Sequence, residues 1–185
     1  MRLFIAIALD RAIRERLGAV QSELRMIEPG IKPVETENIH LTLRFLGEVA
    51  EPKLPELSRA IGAVQNYPAF KLDLQGLGAF PDERHPKVVW VRGLDSSRTL
   101  EEMYGGLEKE LLDIGFPPDD HKFSAHITLG RNKSPRDNTE FRNLMDKYSA
   151  ESFGRQAVTK VSLFRSSLRP AGPIYTNIRD FNLKK

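Results

Sequence analysis

Residues 2–8, Arg2-Leu3-Phe4-Ile5-Ala6-Ile7-Ala8, are almost wholly apolar, which predicts a central strand buried on both faces. Asp10 then offers an N-cap, and Ile13, Leu17, Val20, Leu24 and Ile27 recur at spacings of four and three until Pro29-Gly30, the stripe of an amphipathic helix. A strand over 39–46 closes at Gly47. Pro52 suits a first helical turn, and Leu54, Leu57, Ile61 and Val64 mark a second helix. Phe70, Leu72 and Leu74 alternate with Lys71, Asp73 and Gln75, the period of a half-buried antiparallel strand; a glycine-rich turn over 76–81 and a strand over 87–91 follow. Asp95-Ser96-Ser97 can cap a third helix, whose stripe of Leu100, Tyr104, Leu107, Leu111 and Ile114 ends at Gly115. A strand over 123–129 closes at Gly130. Asp137 with Glu140 resembles a capping box for a fourth helix bearing Phe141, Leu144, Met145 and Tyr148, and strands near 158–164 and 174–178 flank a loop with Pro170 and Gly172.

Strands and helices thus alternate irregularly, and no glycine-rich phosphate loop follows the first strand, so the pattern predicts an α+β fold and disfavours a doubly wound nucleotide-binding one. The strands over 39–46 and 123–129 each carry His-x-Thr and each precede a helix. That repetition predicts a single bilobal domain spanning residues 1–185, with two interleaved, pseudo-symmetric lobes that each contribute one motif. A chain of 185 residues is long enough to bury most of its apolar surface without staples, and it has no cysteine to make one. The missing thiols also remove thiolate nucleophiles and Cys-type metal sites. The apolar N-terminal run is too short for a membrane span and no cleavage site follows it, which predicts a soluble cytoplasmic protein. A net charge of +3 names no partner, but it permits attraction of an anionic ligand such as a phosphate ester, weakening as salt rises.

The chemistry concentrates in His40-Leu41-Thr42-Leu43 and His126-Ile127-Thr128-Leu129, 86 positions apart. On a regular strand His40, Thr42 and Arg44 share one face and the leucines the other; His126 and Thr128 share a face in the same way. Arg131 falls on the wrong parity unless Gly130 bends the strand. One such motif reads most simply as a hydrogen-bonded structural pair. Two of them can place imidazoles, which titrate near neutrality, on opposite sides of one reacting atom as acid and base. Threonine hydroxyls and an arginine could hold phosphoryl oxygens and stabilise charge developing in an in-line displacement, with no metal required. Nothing shows zinc spacing or a third close ligand. His85, beside Pro86, and His121, after Asp119-Asp120, read as surface residues.

The stretches His40-Leu41-Thr42-Leu43-Arg44-Phe45-Leu46-Gly47-Glu48 and His126-Ile127-Thr128-Leu129-Gly130-Arg131 resemble the two-histidine (2H) phosphoesterase superfamily. Within it they are most similar to the RNA 2′,3′-cyclic phosphodiesterases, historically called 2′-5′ RNA ligases. Gly78-Ala79-Phe80-Pro81, Val89-Trp90 and Ser166-Ser167-Leu168 with Gly172 and Tyr175 extend the resemblance along the chain. It implies two antiparallel β-sheets facing across a positively charged central groove, with helices outside. The implied reaction is hydrolysis of a 2′,3′-cyclic phosphate to a 2′-phosphate, with His126 as proton acceptor and His40 as proton donor. Thr42, Thr128 and Arg131 would bind the phosphate; Arg44 occupies an often basic position. No metal or cofactor is implied, and the expected protein is a monomer acting on RNA ends or small cyclic nucleotides. Phe80 is a candidate for stacking on a base, while Trp90 reads as core. Ala125 stands where relatives commonly carry proline, which alters stiffness more than chemistry. Two alternatives remain open: 2′-5′ joining of RNA ends by the same groups, and an RNA-binding module without turnover.

Overall fold

A computed structural model describes residues 1–120, 122–170 and 172–185. Its first strand, β1 (Arg2–Ala8), is buried from Leu3 to Ile7. Leu3, Ile5 and Ile7 enter the hydrophobic core, whereas Phe4 points the other way and meets the ring of His40. α1 (Arg11–Ile27) buries the predicted Ile13, Leu17, Val20 and Leu24; Asp10 occupies its N-cap without making a side-chain cap bond. The chain continues through β2 (Ile31–Pro33), β3 (His40–Glu48), α2 (Leu54–Ile61), β4 (Phe70–Phe80) and β5 (Val88–Leu94). Then come α3 (Thr99–Asp113), β6 (His126–Asn132), α4 (Thr139–Lys147), β7 (Ser152–Val158), β8 (Lys160–Arg169) and β9 (Gly172–Asn182).

The α+β class is as predicted, but the halves are not two separate sheets. Eight strands run β7-β4-β5-β6-β3-β1-β8-β9 in one hydrogen-bonded path, with β2 paired to β6. Each half reads outward from a motif strand: β3, β1, β8, β9 on one side and β6, β5, β4, β7 on the other. A single antiparallel register pair, Leu41 opposite Ile127, joins them. Leu17 and Leu24 from α1, Leu57 and Ile61 from α2, Met103 and Leu107 from α3, and Phe141 and Met145 from α4 form one cluster with Leu41 and Ile127. Burying each such side chain is worth about 1.5–3 kcal/mol, so the apolar sides of both motif strands are firmly anchored.

Several local expectations change. The turn over 76–81 is instead a continuation of β4: Gly76 absorbs a register shift at φ 74°, and Gly78 lies flat against Trp90 of β5. β6 begins at His126 rather than 123, because Phe123 stacks on Tyr104 of α3 at 4.1 Å. Asn138, not Asp137, caps α4, its Oδ1 accepting from the amides of Glu140 and Phe141 at 3.0 and 3.3 Å. β2 and β7 were not legible, the first too short and the second interrupted by Gly154. His85 is exposed, and His121 lies outside the described residues. Among those residues no helix is long and apolar enough to cross a membrane.

Candidate active site

The pairing of Leu41 with Ile127 dictates what stands on the other face. In an antiparallel ladder their neighbours meet crosswise, so His40 lies across from Thr128 and Thr42 across from His126. Leu41 and Ile127 are fully buried, which turns all four polar side chains to the opposite face. Diagonal neighbours in such a ladder are spaced about 7–8 Å apart, and the two imidazoles are therefore set around a space suited to one phosphoryl group.

Main-chain carbonyls orient both rings in the same way. His40 Nδ1 donates to the carbonyl of Asn38 at 2.6 Å, and His126 Nδ1 to that of Ser124 at 2.7 Å. A carbonyl can only accept, so each ring carries its proton on Nδ1 and leaves Nε2 for chemistry. In His40, Nε2 is 2.9 Å from Thr42 Oγ1 and accepts its hydroxyl proton when the ring is neutral. Burial pushes the His40 imidazole below its ordinary value, and the bond to Asn38 partly opposes that shift.

Both motif strands then bulge at the same place. On β6, Trp90 faces Thr128 but Val89 faces Gly130, leaving Leu129 as the extra residue; on β3, Ala6 faces Thr42 but Ile5 faces Arg44, leaving Leu43. The side-chain alternation inverts beyond each bulge, and the two strands share the burial sequence from half-buried histidine to exposed sixth residue. Arg131 is thereby returned to the histidine face. Leu129 keeps its carbonyl satisfied by the amide of Val34 at 2.8 Å and by Nε2 of Gln21, a buried residue of α1, at 2.7 Å. Replacing Gln21 by leucine removes one of that carbonyl's two donors, and a loss of about 0.5–1.5 kcal/mol in chemical denaturation is expected. A change under a few tenths of a kcal/mol would show that the bulge does not depend on it.

The same inversion corrects the expectation for Arg44, which is turned away from the groove and only 8% exposed. Its Nη1 pairs with Asp119 at 3.3 Å and its Nη2 donates to the carbonyl of Pro117. Nε stands 2.9 Å from Glu108 of α3 in an ion pair without hydrogen-bond alignment. Burial, together with the charges of Glu108 and Asp119, pushes the nearby Tyr104 phenol up to about 12. Arg44 ties the first motif strand to α3 and to the loop that leads into the second motif.

Aromatic rings flank each histidine. Phe4 lies 5.0 Å from the His40 ring and Tyr175 stands edge-on to it at 5.4 Å. Burial raises the Tyr175 phenol and the positive charge of Arg131 opposes this, so the arginine of the second motif acts electrostatically on a ring beside the first. At the other end Phe80, 39% exposed, stands edge-on to His126 at 5.4 Å, and Trp90 lies 6.3 Å from the same imidazole. Trp90 is half-buried on the groove face rather than in the core, because Gly78 opposite it leaves room for the indole. Sequence reasoning missed Phe4 as a groove residue and also Arg92, the cross-strand partner of His126. The carbonyls of Asn38 and Ser124 left no side-chain signal to find. Among the described residues no three histidine, aspartate or glutamate side chains gather as a metal-binding group.

This arrangement can bind an anion between two hydroxyls and an arginine, and move protons at two opposed nitrogens. The chain matches the profile of the LigT-like phosphoesterases over residues 7–90 and 93–175. The RNA 2′,3′-cyclic phosphodiesterase of Archaeoglobus fulgidus is 41% identical, over 98% of this chain and 99% of that protein. The enzyme so named from Methanothermobacter thermautotrophicus is 35% identical, over 99% of each. Among solved structures, TT0787 of Thermus thermophilus superposes with a TM-score of 0.82 at 32% identity, covering 99% of this chain and 98% of that one. E. coli LigT complexed with 3′-AMP gives 0.76 at 31% identity, covering 98% and 97%.

Proposed function

This chain belongs to the LigT-like phosphoesterase family, and from that premise we propose that it is an RNA 2′,3′-cyclic phosphodiesterase, a phosphoric diester hydrolase working through His40 and His126. The observation that carries the reading is the crosswise set of two histidines and two threonines fixed by the Leu41–Ile127 pair, with both Nδ1 atoms held by carbonyls. His126 Nε2 takes a proton from water as the water oxygen bonds to phosphorus. The bond from phosphorus to the 3′ oxygen breaks, and His40 Nε2 gives that oxygen its proton, leaving a 2′-phosphate and a free 3′-hydroxyl. Thr42, Thr128 and Arg131 hold the phosphoryl oxygens and the charge that grows on them. Phe80 offers its ring to a base. The working form in this reading is a cytoplasmic monomer, one bilobal domain of residues 1–185 that acts without metal.

His40 must be protonated to act as the acid, while burial favours its neutral form in the free protein. Activity therefore falls as pH rises through the His40 value. In kcat/KM, which reports the free enzyme, that falling limb is expected below the ordinary histidine value of about 6.5. In kcat it moves upward, because a bound phosphate anion favours the imidazolium. A falling limb at the same pH in both profiles would count against His40 as the acid.

Joining of RNA ends through a 2′-5′ bond would use the same groups in reverse. Incubation of an oligoribonucleotide ending in a 2′,3′-cyclic phosphate with a 5′-hydroxyl strand, in the presence of EDTA, separates the outcomes. The proposal predicts a 2′-phosphate end at unchanged length; a longer strand favours joining, binding without turnover favours the RNA-binding alternative, and loss of activity in EDTA contradicts metal independence.

A further inference from the structure

The two halves share a scaffold but differ in chemistry at matching positions. Across from His40 on the neighbouring strand stands Ala8, and across from His126 stands Arg92. Beyond the bulges, Phe45 occupies on β3 the place that Arg131 takes on β6. The His40 side opens into a cavity of about 710 Å³ walled by Phe4, Pro173 and Tyr175, in which Glu35 and Glu37 are matched by Arg14 and Arg169. Aromatic faces accept a base, and two carboxylates against two guanidiniums leave no excess of positive charge to draw a phosphate there.

The His126 side has the opposite character. Arg92 is exposed, and its side chain makes no hydrogen bond or ion pair among the described residues. It lies where two depressions meet, one also lined by Arg98 and Lys122, the other by Arg84 and Arg142. Of the neighbouring carboxylates, Glu83 lines the second depression without an ion-pair partner among the described residues, and the others are committed elsewhere. Asp95 accepts from the amides of Ser97 and Leu100, Glu101 pairs with Arg98, Asp137 pairs with Arg142, and Asp82 accepts from the amides of Arg84 and His85. The Arg92 guanidinium is left without an ion-pair partner directly beside a histidine of the reacting centre, where a planar fork of donors suits a phosphate.

We propose that Arg92 binds a second phosphate of the substrate, the internucleotide phosphate next to the cyclic end. An oligoribonucleotide is then the preferred substrate over a cyclic mononucleotide. The proposal rests on the phosphodiesterase reading and adds a specificity-determining residue to it.

The test compares kcat/KM for 2′,3′-cyclic AMP with that for a trinucleotide of adenosine ending in a 2′,3′-cyclic phosphate, in the wild-type protein, Arg92→Ala and Arg92→Lys. The wild type is expected to favour the trinucleotide by about tenfold or more, the worth of one charge-assisted contact. Arg92→Ala should lower that ratio at least about fivefold, mostly through KM, with Arg92→Lys between. The dependence of log kcat/KM on log salt for the trinucleotide should flatten by about 0.7 in Arg92→Ala. A wild-type ratio near one, or an Arg92→Ala ratio equal to that of the wild type, including an equal loss on both substrates, overturns the proposal alone. Hydrolysis of neither substrate by the wild type overturns the phosphodiesterase reading and the proposal with it.

Discussion

Replacing either His40 or His126 by alanine is expected to lower kcat for 2′,3′-cyclic AMP by about a hundred- to ten-thousand-fold, the usual worth of one positioned proton transfer. The double replacement should cost much less than the product of the two, because an acid and a base that act in one step fail together. The reason lies in the geometry. Each ring has its Nδ1 committed to a main-chain carbonyl, so only one nitrogen per ring can serve, and no other histidine stands beside them among the described residues. Circular dichroism should be unchanged for His126→Ala. Because His40 packs against Phe4 and Tyr175, His40→Gln serves as the second variant there, filling the space without supplying an imidazole. Near-wild-type turnover in both His40 and His126 variants would sink the two-histidine mechanism.

Arg44→Ala should show the contrary behaviour: a large loss of stability with catalysis retained. Removing the guanidinium takes the charge partner from the partly buried carboxylate of Glu108 and one of the partners of the exposed Asp119. Breaking a buried pair costs about 3–5 kcal/mol, and the exposure of Asp119 argues for the lower end, about 3 kcal/mol. For a chain of this size that corresponds to a fall in Tm of roughly 6–12 °C. At a temperature where the variant stays folded, kcat/KM should remain within about threefold of wild type, since Arg44 faces away from the reacting phosphate. A stable variant with collapsed activity would instead return Arg44 to the groove.

Arg44 and Arg131 show where reading the sequence stops. Alternation along a regular strand assigns Arg44 to the groove and Arg131 to the core, and both assignments are inverted by one extra residue, Leu43 or Leu129, in the adjoining ladder. A bulge is a property of the pairing, and the single-strand pattern carries no mark of it. Upstream of the bulge the same reasoning holds: His40, Thr42, His126 and Thr128 share the polar face, and their apolar neighbours are buried. The major helices were legible because their stripes reach the core directly. Trp90 was misread because its place depends on a cross-strand glycine, Gly78, in a segment that looked like a turn. The joining of the halves was also invisible, since it consists of one residue pair between strands 86 positions apart.

The most direct test of the central claim is the identity of the monophosphate released from 2′,3′-cyclic AMP by the purified protein, resolved by phosphorus NMR. Attack by water activated at His126, with His40 protonating the 3′ oxygen, predicts 2′-AMP as the product and its absence when either histidine is replaced. Release of 3′-AMP, or of an equal mixture of the two isomers, would contradict it.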